Sequence, residues 1–195
     1  AADAKSDYIQ FRAYAGGAGT AKPSISVIPY TDIYAAVSYS NGELKTARSP
    51  RNIVTTVPTS FTAEDDSNEQ ETYIYSASQL KSIGDISPFH PDTVKIGNAV
   101  KLQDLKVGDA SQDYSNPYLK ELTVGNNTLL RYMDVRNCVN LTQAIDISKC
   151  INIEEIYFSG TKITGITLPD GGNIKSLHLP ETLTKLTIKN QPLLN

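Results

Sequence analysis

The sequence predicts a mainly β fold, in which a β-solenoid with two strands per turn follows a small antiparallel β domain. An apolar phrase returns about every eleven residues through the second part of the chain. Each copy ends in period-two alternation, which indicates a strand, and is too short for a strand plus a helix. Tyr, Thr, Ile and Val are plentiful, Trp is absent, and Gly, Pro and Asn break the chain at short intervals.

The first 70 residues lack the repeated phrase and are predicted to form a small β-sheet or sandwich with an acidic linker. YIQFRAYA, SISVIPY, YAAVSYS, GELKTAR and NIVTTV have the composition of short strands. Asn41-Gly42 predicts a hairpin turn, because both residues tolerate positive φ. The aromatic residues of this part and of TYIYS are expected to fill a core. FTAEDDSNEQE, residues 61 to 71, is interpreted as a solvated linker or loop rather than an acidic binding site.

Residues 71 to 195 are predicted to form the solenoid. The phrase apolar-x-x-apolar-x-apolar occurs as LQDLKV, LKELTV, LRYMDV, TQAIDI, IEEIYF, ITGITL, IKSLHL and LTKLTI. GNN, RNC, SGT, PDGG and KNQ supply corners between copies, and the polar insertion ASQDYS is interpreted as a loop. A lone two-faced strand cannot bury its apolar side, so turns of about 22 residues must stack around one continuous core, which is expected to contain Leu122, Ile145, Ile156 and Leu177.

Both ends of such a stack need cover, because a terminal turn exposes the core. The N-terminal sheet is expected to cap the first turns, around Leu80 to Ile96. The other end, NQPLLN, carries no polar cap. We therefore expect that the polypeptide continues there or that a neighbouring subunit covers it.

Two cysteines, Cys138 and Cys150, follow consecutive copies of the phrase. They are too few for a disulfide scaffold or a zinc site. We interpret them as small buried corner residues, with a disulfide and a reactive thiol as the alternatives. A disulfide requires α-carbons within about 7 Å, which is unfavourable if the two residues lie at opposite edges of successive half-turns.

The repeats resemble the leucine-rich repeat consensus, most closely in YLKELTVGNNTLLRYMDVRNCVNL and IDISKCINIEEIYFSGTKITGITL. In that family an Asn or Cys after the strand hydrogen-bonds the loop backbone, and Asn137-Cys138 and Cys150 occupy or flank that position. YIYSASQLKSIGDISPF, NIEEIYFSGT and LHLPETLTKLTIKNQPLL further resemble repeat regions of structural proteins from tailed bacteriophages of gut bacteria. That resemblance implies a tail-associated role in a virion and brings no catalytic or ligand residue.

The outward positions of the two predicted sheets differ in chemistry. One sheet would display Asp104, Lys106, Tyr132, Asp134, Glu155, Tyr157, Ser176 and His178. The other would display Glu121, Thr123, Ala144, Asp146, Gly165, Thr167, Lys185 and Thr187. Aromatic and hydrogen-bonding groups on adjacent strands suit recognition of a protein or glycan surface, and the candidate binding face consists of Lys106, Tyr132, Asp134, Glu155, Tyr157 and His178. The alternative is that these residues are ordinary cross-strand pairs on a hydrated sheet.

We predict no enzymatic activity. Glu155 with Asp134, or Asp134 with Asp104, could be offered as a glycosidase pair, but a flat ladder has no cleft to separate their pKa values. His178 has no Ser or Cys nucleophile beside it, and Tyr157 is expected to be its nearest neighbour. No metal-ligand spacing exists, and no cofactor is predicted.

The formal net charge of -3, without clustered Lys or Arg, gives no support to nucleic-acid or anionic-membrane binding. No apolar run approaches the roughly 20 residues of a membrane-spanning helix. GGAG, residues 16 to 19, lacks the ending of a phosphate loop and is interpreted as a flexible turn.

These observations predict a non-enzymatic structural or binding module of a phage virion. Its predicted partners are other virion subunits, or a protein or glycan on the host surface. The alternatives are a bacterial cell-surface adhesin with the same repeats and, third, a carbohydrate-active enzyme. Tyr132 and Tyr157 are the residues expected to make host contact.

Overall fold

The computed structural model describes residues 7–13, 24–39, 42–57, 70–108 and 117–194. In these residues the protein is mainly β, as predicted, and its helical elements are two short 3-10 turns, Ala77–Gln79 and Ser87–Phe89. No helix in this part of the chain is long and apolar enough to cross a membrane. The predicted turn at residues 16–19 and the insertion ASQDYS lie outside the described residues, as do Asn41 and most of the acidic segment.

Eight strands precede the main run of repeats. They are β1 (Tyr8–Ala13), β2 (Ile25–Pro29), β3 (Ile33–Tyr39), β4 (Leu44–Ser49), β5 (Thr55–Val57), β6 (Gln70–Tyr75), β7 (Leu80–Ser82) and β8 (Pro91–Lys95). Eight further strands follow in the described residues, and the repeated phrase predicts all of them. They are β9 (Asp104–Lys106), β10 (Glu121–Thr123), β11 (Tyr132–Asp134), β12 (Ile145–Asp146), β13 (Glu155–Tyr157), β14 (Gly165–Asp170), β15 (Ser176–His178) and β16 (Lys185–Lys189).

A six-stranded sheet in the order β10-β8-β1-β6-β3-β4 joins the two parts of the chain. Its pairs are antiparallel except for β10 with β8, which are parallel. β2 pairs with β5 on one side and β7 on the other. N-terminal strands therefore cover the edges of β7 and β8, as expected of a cap. The proposed division at residue 70 stays a prediction, since the sheet contains strands from both sides of it.

Seven of the later strands form two parallel sheets, which we call the two series: β15-β13-β11-β9 and β12-β14-β16. β10 belongs to the six-stranded sheet, and from β11 onward successive strands of the chain alternate between the two series. Met133 pairs with Leu105 and Ile156, and Ile156 pairs with Leu177. Parallel strands need long crossover connections, and from β11 onward each connection contains a strand of the opposite series.

The Gln143 side chain, which lies just before β12 of the second series, forms with β10 the two hydrogen bonds that a neighbouring strand would form. Its Oε1 accepts a hydrogen bond from the Leu122 backbone N at 2.9 Å, and its Nε2 donates to the Leu122 O at 2.7 Å. A buried or half-buried peptide group needs such partners. The side chain therefore satisfies the β10 backbone on the side that faces away from β8.

The central residue of each strand packs into one core between the two series. The buried members are Leu105, Leu122, Met133, Ile145, Ile156 and Ile166. Burial of a side chain of this size contributes about 1.5–3 kcal/mol. Leu177, predicted to be as buried as Leu122, Ile145 and Ile156, is only half-buried. It lies on β15, which is the terminal strand of this sheet among the described residues.

Small or polar buried residues stand where the chain leaves the strands. Ala99, Asn127, Cys138, Cys150 and Thr161 share this place, and all five are buried. Backbone N–H groups of Cys138 and Cys150 donate to the carbonyls of Val135 and Ile147, and their own carbonyls accept from Leu141 and Ile153. The predicted corner position of the cysteines is confirmed, and both thiols are free.

Asn127 supplies the side-chain hydrogen bonds expected at such a corner. Its Oδ1 accepts from the Gly125 backbone N at 2.8 Å, and its Nδ2 donates to the carbonyls of Ile96 and Ala99 at 2.9 and 3.0 Å. The sequence interpretation placed this role at Asn137-Cys138 and Cys150. Asn137 adopts a left-handed backbone with φ of 61° and is half-buried, and its backbone N donates to the Ser159 carbonyl at 3.0 Å.

Candidate functional site

The outward side of the sheet β9-β11-β13-β15 brings the candidate binding face together. The parallel pairing aligns Asp104, Tyr132, Glu155 and Ser176 in one row across the strands. A second row contains Lys106, Asp134, Tyr157 and His178. Neighbouring strands in a sheet lie about 4.8 Å apart, so side chains within a row are in contact distance.

Three aromatic rings form a continuous ladder across β11, β13 and β15. The rings of Tyr157 and His178 are stacked, with centroids 4.9 Å apart and planes at 16°. The rings of Tyr132 and Tyr157 have centroids 5.4 Å apart and planes tilted by 48°. In-register parallel pairing causes the stacking, because Tyr157 and His178 are direct partners across the ladder. His178 is exposed, while both tyrosines are half-buried.

Asp134 was predicted to be displayed on the outward side of the sheet, but the structure buries its side chain. It lies in the outward row, yet its side chain is 0% exposed. Its Oδ2 accepts from Tyr132 Oη at 3.0 Å and from Arg136 Nη2 at 2.7 Å, and its Oδ1 accepts from the Arg136 backbone N at 2.9 Å. Tyr132 and Arg136 thus cover a carboxylate that is unavailable for direct contact with a partner.

The pKa of Asp134 results from two opposed effects. Burial by itself raises the pKa, because it disfavours the charged form. Hydrogen bonds from the Arg136 side chain and backbone, and from the Tyr132 hydroxyl, outweigh burial and hold the pKa below the usual Asp value. Asp134 is therefore a structural anion paired with a cation.

Arg136 completes the face and was missed in the sequence interpretation. Its guanidinium carbon lies 4.4 Å from the centre of the Tyr157 ring, a cation–π distance. The strand ends at Asp134, so alternation within the strand gave no reason to include a residue two positions further. Its position in the sequence could have indicated it, because a residue two positions after Asp134 lies on the same side of an extended chain.

Both tyrosine hydroxyls of the ladder donate to a carboxylate two residues away on their own strand. Tyr132 donates to Asp134, and Tyr157 Oη donates to Glu155 Oε1 at 2.9 Å. Burial, and then the negative charge of Asp134, raise the pKa of Tyr132 to about 12. The hydrogen bond to Glu155, and then burial, raise the pKa of Tyr157. Both phenols stay protonated across the physiological range.

Lys106 and Asp104 mark the side of the face next to the N-terminal strands. Lys106 Nζ lies 3.6 Å from Asp85 Oδ2. Asp104 Oδ2 accepts a hydrogen bond from Ser82 Oγ at 3.0 Å. Burial raises the pKa of Asp104, and the Ser82 hydrogen bond only partly offsets it.

Asp134 and Glu155, two carboxylates of the face, are engaged in hydrogen bonds and an ion pair with neighbouring side chains rather than paired with each other. Asp134 is paired with Arg136, and Glu155 accepts from Tyr157 on its own strand. Glu155 stands opposite Tyr132 and Ser176, not opposite Asp134. Among the described residues no group of three or more His, Cys, Asp and Glu side chains could hold a metal ion.

A separate tyrosine cluster lies on the outer face of the six-stranded sheet. Tyr73 and Tyr75 are half-buried there, while their neighbours Thr72 and Ile74 point into the core. The expectation that the aromatic residues of TYIYS fill a core is wrong for both tyrosines, because the strand alternates in the opposite phase. The ring of Tyr8 meets those of Tyr73 and Tyr75 edge-on, with centroids 5.0 and 6.4 Å away.

Comparison with known proteins finds no match: no family model, no curated protein and no solved structure is similar to this chain.

Proposed function

We propose that this protein is a non-enzymatic structural and binding module, a leucine-rich-repeat-type β-solenoid that offers the candidate binding face to another protein. The observation that supports this proposal most directly is the ladder of aromatic rings formed by Tyr132, Tyr157 and His178. The ion pair of Asp134 and Arg136 packs against this ladder. Rigid aromatic side chains with an arginine at their centre are the residue types that dominate binding energy at protein interfaces.

The solenoid is supported by the alternation of the strands. Successive strands leave one parallel series, enter the other and return one position further along the first. The apolar residues of both series share a single core. Buried residues at the corners, with Asn127 bonded to the backbone of the neighbouring turn, agree with the resemblance to leucine-rich repeats. Each of these features is what a stack of two-stranded turns requires.

A protein partner is favoured over a glycan because the ring faces of the ladder are already covered. Tyr157 has His178 stacked on the side of β15, and Tyr132 and Arg136 on the side of β11. A sugar ring packs on an open aromatic face, whereas a protein surface can pack against ring edges and the charged rim. Of the three ladder residues, only His178 lies on β15, the terminal strand of this sheet among the described residues.

The place of the module in a tailed-phage virion is supported by the sequence resemblance alone. Assembly contact with other virion subunits and contact with a host surface protein are both served by a rigid face. A bacterial cell-surface adhesin is the second candidate, since it would use the same repeats and the same face.

The experiment is a comparison of phage particles that carry Tyr157→Ala with parent particles and with a Thr167→Ala control. Thr167 lies on β14, in the other parallel series, and is half-buried as Tyr157 is. Mass spectrometry measures incorporation, and adsorption to host cells measures attachment. We expect Tyr157→Ala to reduce incorporation or adsorption about tenfold, the effect of losing roughly 1.4 kcal/mol, while its melting temperature stays close to the parent value.

Equal incorporation and equal adsorption by all three particles would remove the binding face from the proposal. Detection of the protein on bacterial cells that carry no phage, and its absence from particles, would favour the adhesin.

A further inference from the structure

A groove of about 470 Å³ lies on the outer face of the six-stranded sheet, remote in sequence from the ladder. Its floor is made by two small residues of β3, Ala36 and Ser38. Tyr34, Leu44 and Tyr75 form its walls. Small residues on one strand between bulky ones on either side leave a trough that a ring-shaped ligand can enter.

The walls are unusual for an outward-facing sheet because they are large and apolar. Tyr34 is 73% exposed and Leu44 is 59% exposed. Scattered exposed apolar residues are ordinary, but here they converge on one concave site together with Tyr75. In contrast to the ladder, no aromatic neighbour is stacked on Tyr34 among the described residues, so a face of its ring is open.

Tyr75 is held in place before any ligand arrives. Its Oη lies 2.9 Å from Ser38 Oγ, and the two hydroxyls share a hydrogen bond. The ring of Tyr8 stands nearly perpendicular to it, at an interplanar angle of 79°. A fixed wall loses little conformational entropy on binding, which favours affinity.

The charge around the groove is sparse, which favours a neutral ligand. Glu43 is the charged group among the described lining residues, and a single arginine, Arg48, stands beside the groove as the cross-strand neighbour of Tyr34. Lys45 Nζ lies 3.5 Å from Glu43 Oε2, so even this charge is partly compensated. A phosphate, a nucleic acid or an acidic sugar requires clustered positive groups, which this site does not provide.

We infer that this groove binds a neutral glycan, with one pyranose ring stacked on the exposed face of Tyr34. A pyranose offers an apolar C–H face for an aromatic ring and a rim of hydroxyls for Ser38 and Tyr75. The site therefore matches both kinds of surface that the ligand carries. A lipid would need an enclosed apolar cavity, and an extended peptide would add a strand at the edge of a sheet rather than lie across the sheet face.

The test is an NMR titration of the whole chain with neutral saccharides at millimolar concentrations. Glucose, galactose, mannose and N-acetylglucosamine, with their di- and trisaccharides, form the probe set. A sulfated oligosaccharide and a pool of uncharged hexapeptides are titrated in parallel. The variants are Tyr34→Ala, which removes the stacking face, and Ala36→Gln, which fills the floor while leaving Tyr34 in place. Tyr34→Phe is the matched control, because it keeps the ring.

We expect saturable binding of a neutral saccharide, weakened about tenfold or more in Tyr34→Ala and in Ala36→Gln and largely kept in Tyr34→Phe. Tyr157→Ala should bind the saccharide as the parent does, which separates this site from the candidate binding face. Absence of binding by every neutral saccharide would overturn the inference. So would affinity unaltered in both groove variants, or a groove that takes only the sulfated sugar or the peptides.

Discussion

Arg136 holds the carboxylate of Asp134 in a buried position on the outward side of a sheet. Arg136 Nε lies 3.1 Å from each carboxylate oxygen, and Nη2 lies 2.7 Å from Oδ2. Because both nitrogens are engaged, the guanidinium plane is fixed, and it lies against the ring of Tyr157. The same ion pair thus stabilises the buried Asp134 carboxylate and supports the Tyr157 ring of the aromatic ladder.

Removing the cation of this pair should cost much more stability than removing an exposed one. In Arg136→Ala the buried Asp134 charge loses its partner, and we expect the free energy of unfolding to fall by about 2–4 kcal/mol. Arg131→Ala is the control, because Arg131 pairs with Glu154 while more than half exposed, and such pairs contribute about 0–1 kcal/mol. Urea unfolding of both variants measures the difference; equal losses would show that Asp134 is hydrated in the folded protein.

Asp104 should destabilise the fold at neutral pH. Burial raises its folded pKa above the unfolded value, so its favourable contribution is present at low pH and is lost as pH rises through the folded pKa. Asp104→Asn keeps an acceptor for Ser82 and should be more stable than the parent at pH 7. The gain should vanish near pH 3.

Asp146 provides the control of opposite sign for that experiment. Hydrogen bonds from the Ser148 side chain and backbone lower the pKa of Asp146, so its contribution is present above the unfolded pKa and is lost as pH falls through the folded one. Asp146→Asn should therefore be less stable than the parent at pH 7. Unfolding curves at both pH values that show the same sign for the two variants would contradict the assignment.

Asn127 should be the most important polar residue of the corners. Asn127→Ala leaves the Gly125 N–H without its partner, and such an orphaned group costs about 1–3 kcal/mol. The carbonyls of Ile96 and Ala99 lose one hydrogen bond each but keep those from the backbone N–H groups of Ala99 and Leu102. We expect a loss of about 2 kcal/mol in urea unfolding. Asn126 is adjacent and exposed, and Asn126→Ala should stay within about 0.5 kcal/mol of the parent. Similar losses in the two variants would mean that the corner is hydrated.

Gly108 should tolerate no side chain. A Cβ at this position would collide with the backbone N and O of Arg136. We expect Gly108→Ala to lower stability by about 2 kcal/mol or more, because backbone atoms of a neighbouring turn must move. A Cβ at Gly97 would meet nothing within 4 Å, so Gly97→Ala should be neutral or slightly stabilising. Thermal unfolding of the pair tests how closely the two turns approach.

The two cysteines should be inert in the folded protein. Burial, and then the nearby charge of Asp134 or Asp146, raise the pKa of each thiol to about 12. The thiolate is the reactive form, so an alkylating reagent at pH 8 should modify neither Cys138 nor Cys150 until urea unfolds the chain. Mass spectrometry counts the adducts; rapid labelling of the native protein would place a thiol at the surface.

Several features of this protein could be predicted from the sequence because they depend on local periodicity. The apolar phrase located β9 to β16, and alternation within a strand identified Leu122, Ile145 and Ile156 as core residues. The same alternation placed Tyr157 beside His178, since in-register stacking of equal turns leaves one arrangement. These properties follow from the geometry of an extended chain, in which successive side chains point to opposite faces.

The tertiary structure decided what each outward residue does. Asp134 is buried and Arg136 joins the face because side chains past the end of a strand fold back over it. Tyr73 and Tyr75 lie outside the core because the pairing of β6 with β1 and β3 sets which of its faces is buried. The Asn127 side chain bonds the carbonyls of Ile96 and Ala99 because tertiary packing brings that distant segment beside it. Sequence periodicity determines which residues share a side of a strand; neighbours from distant segments determine how deep they lie and what they contact.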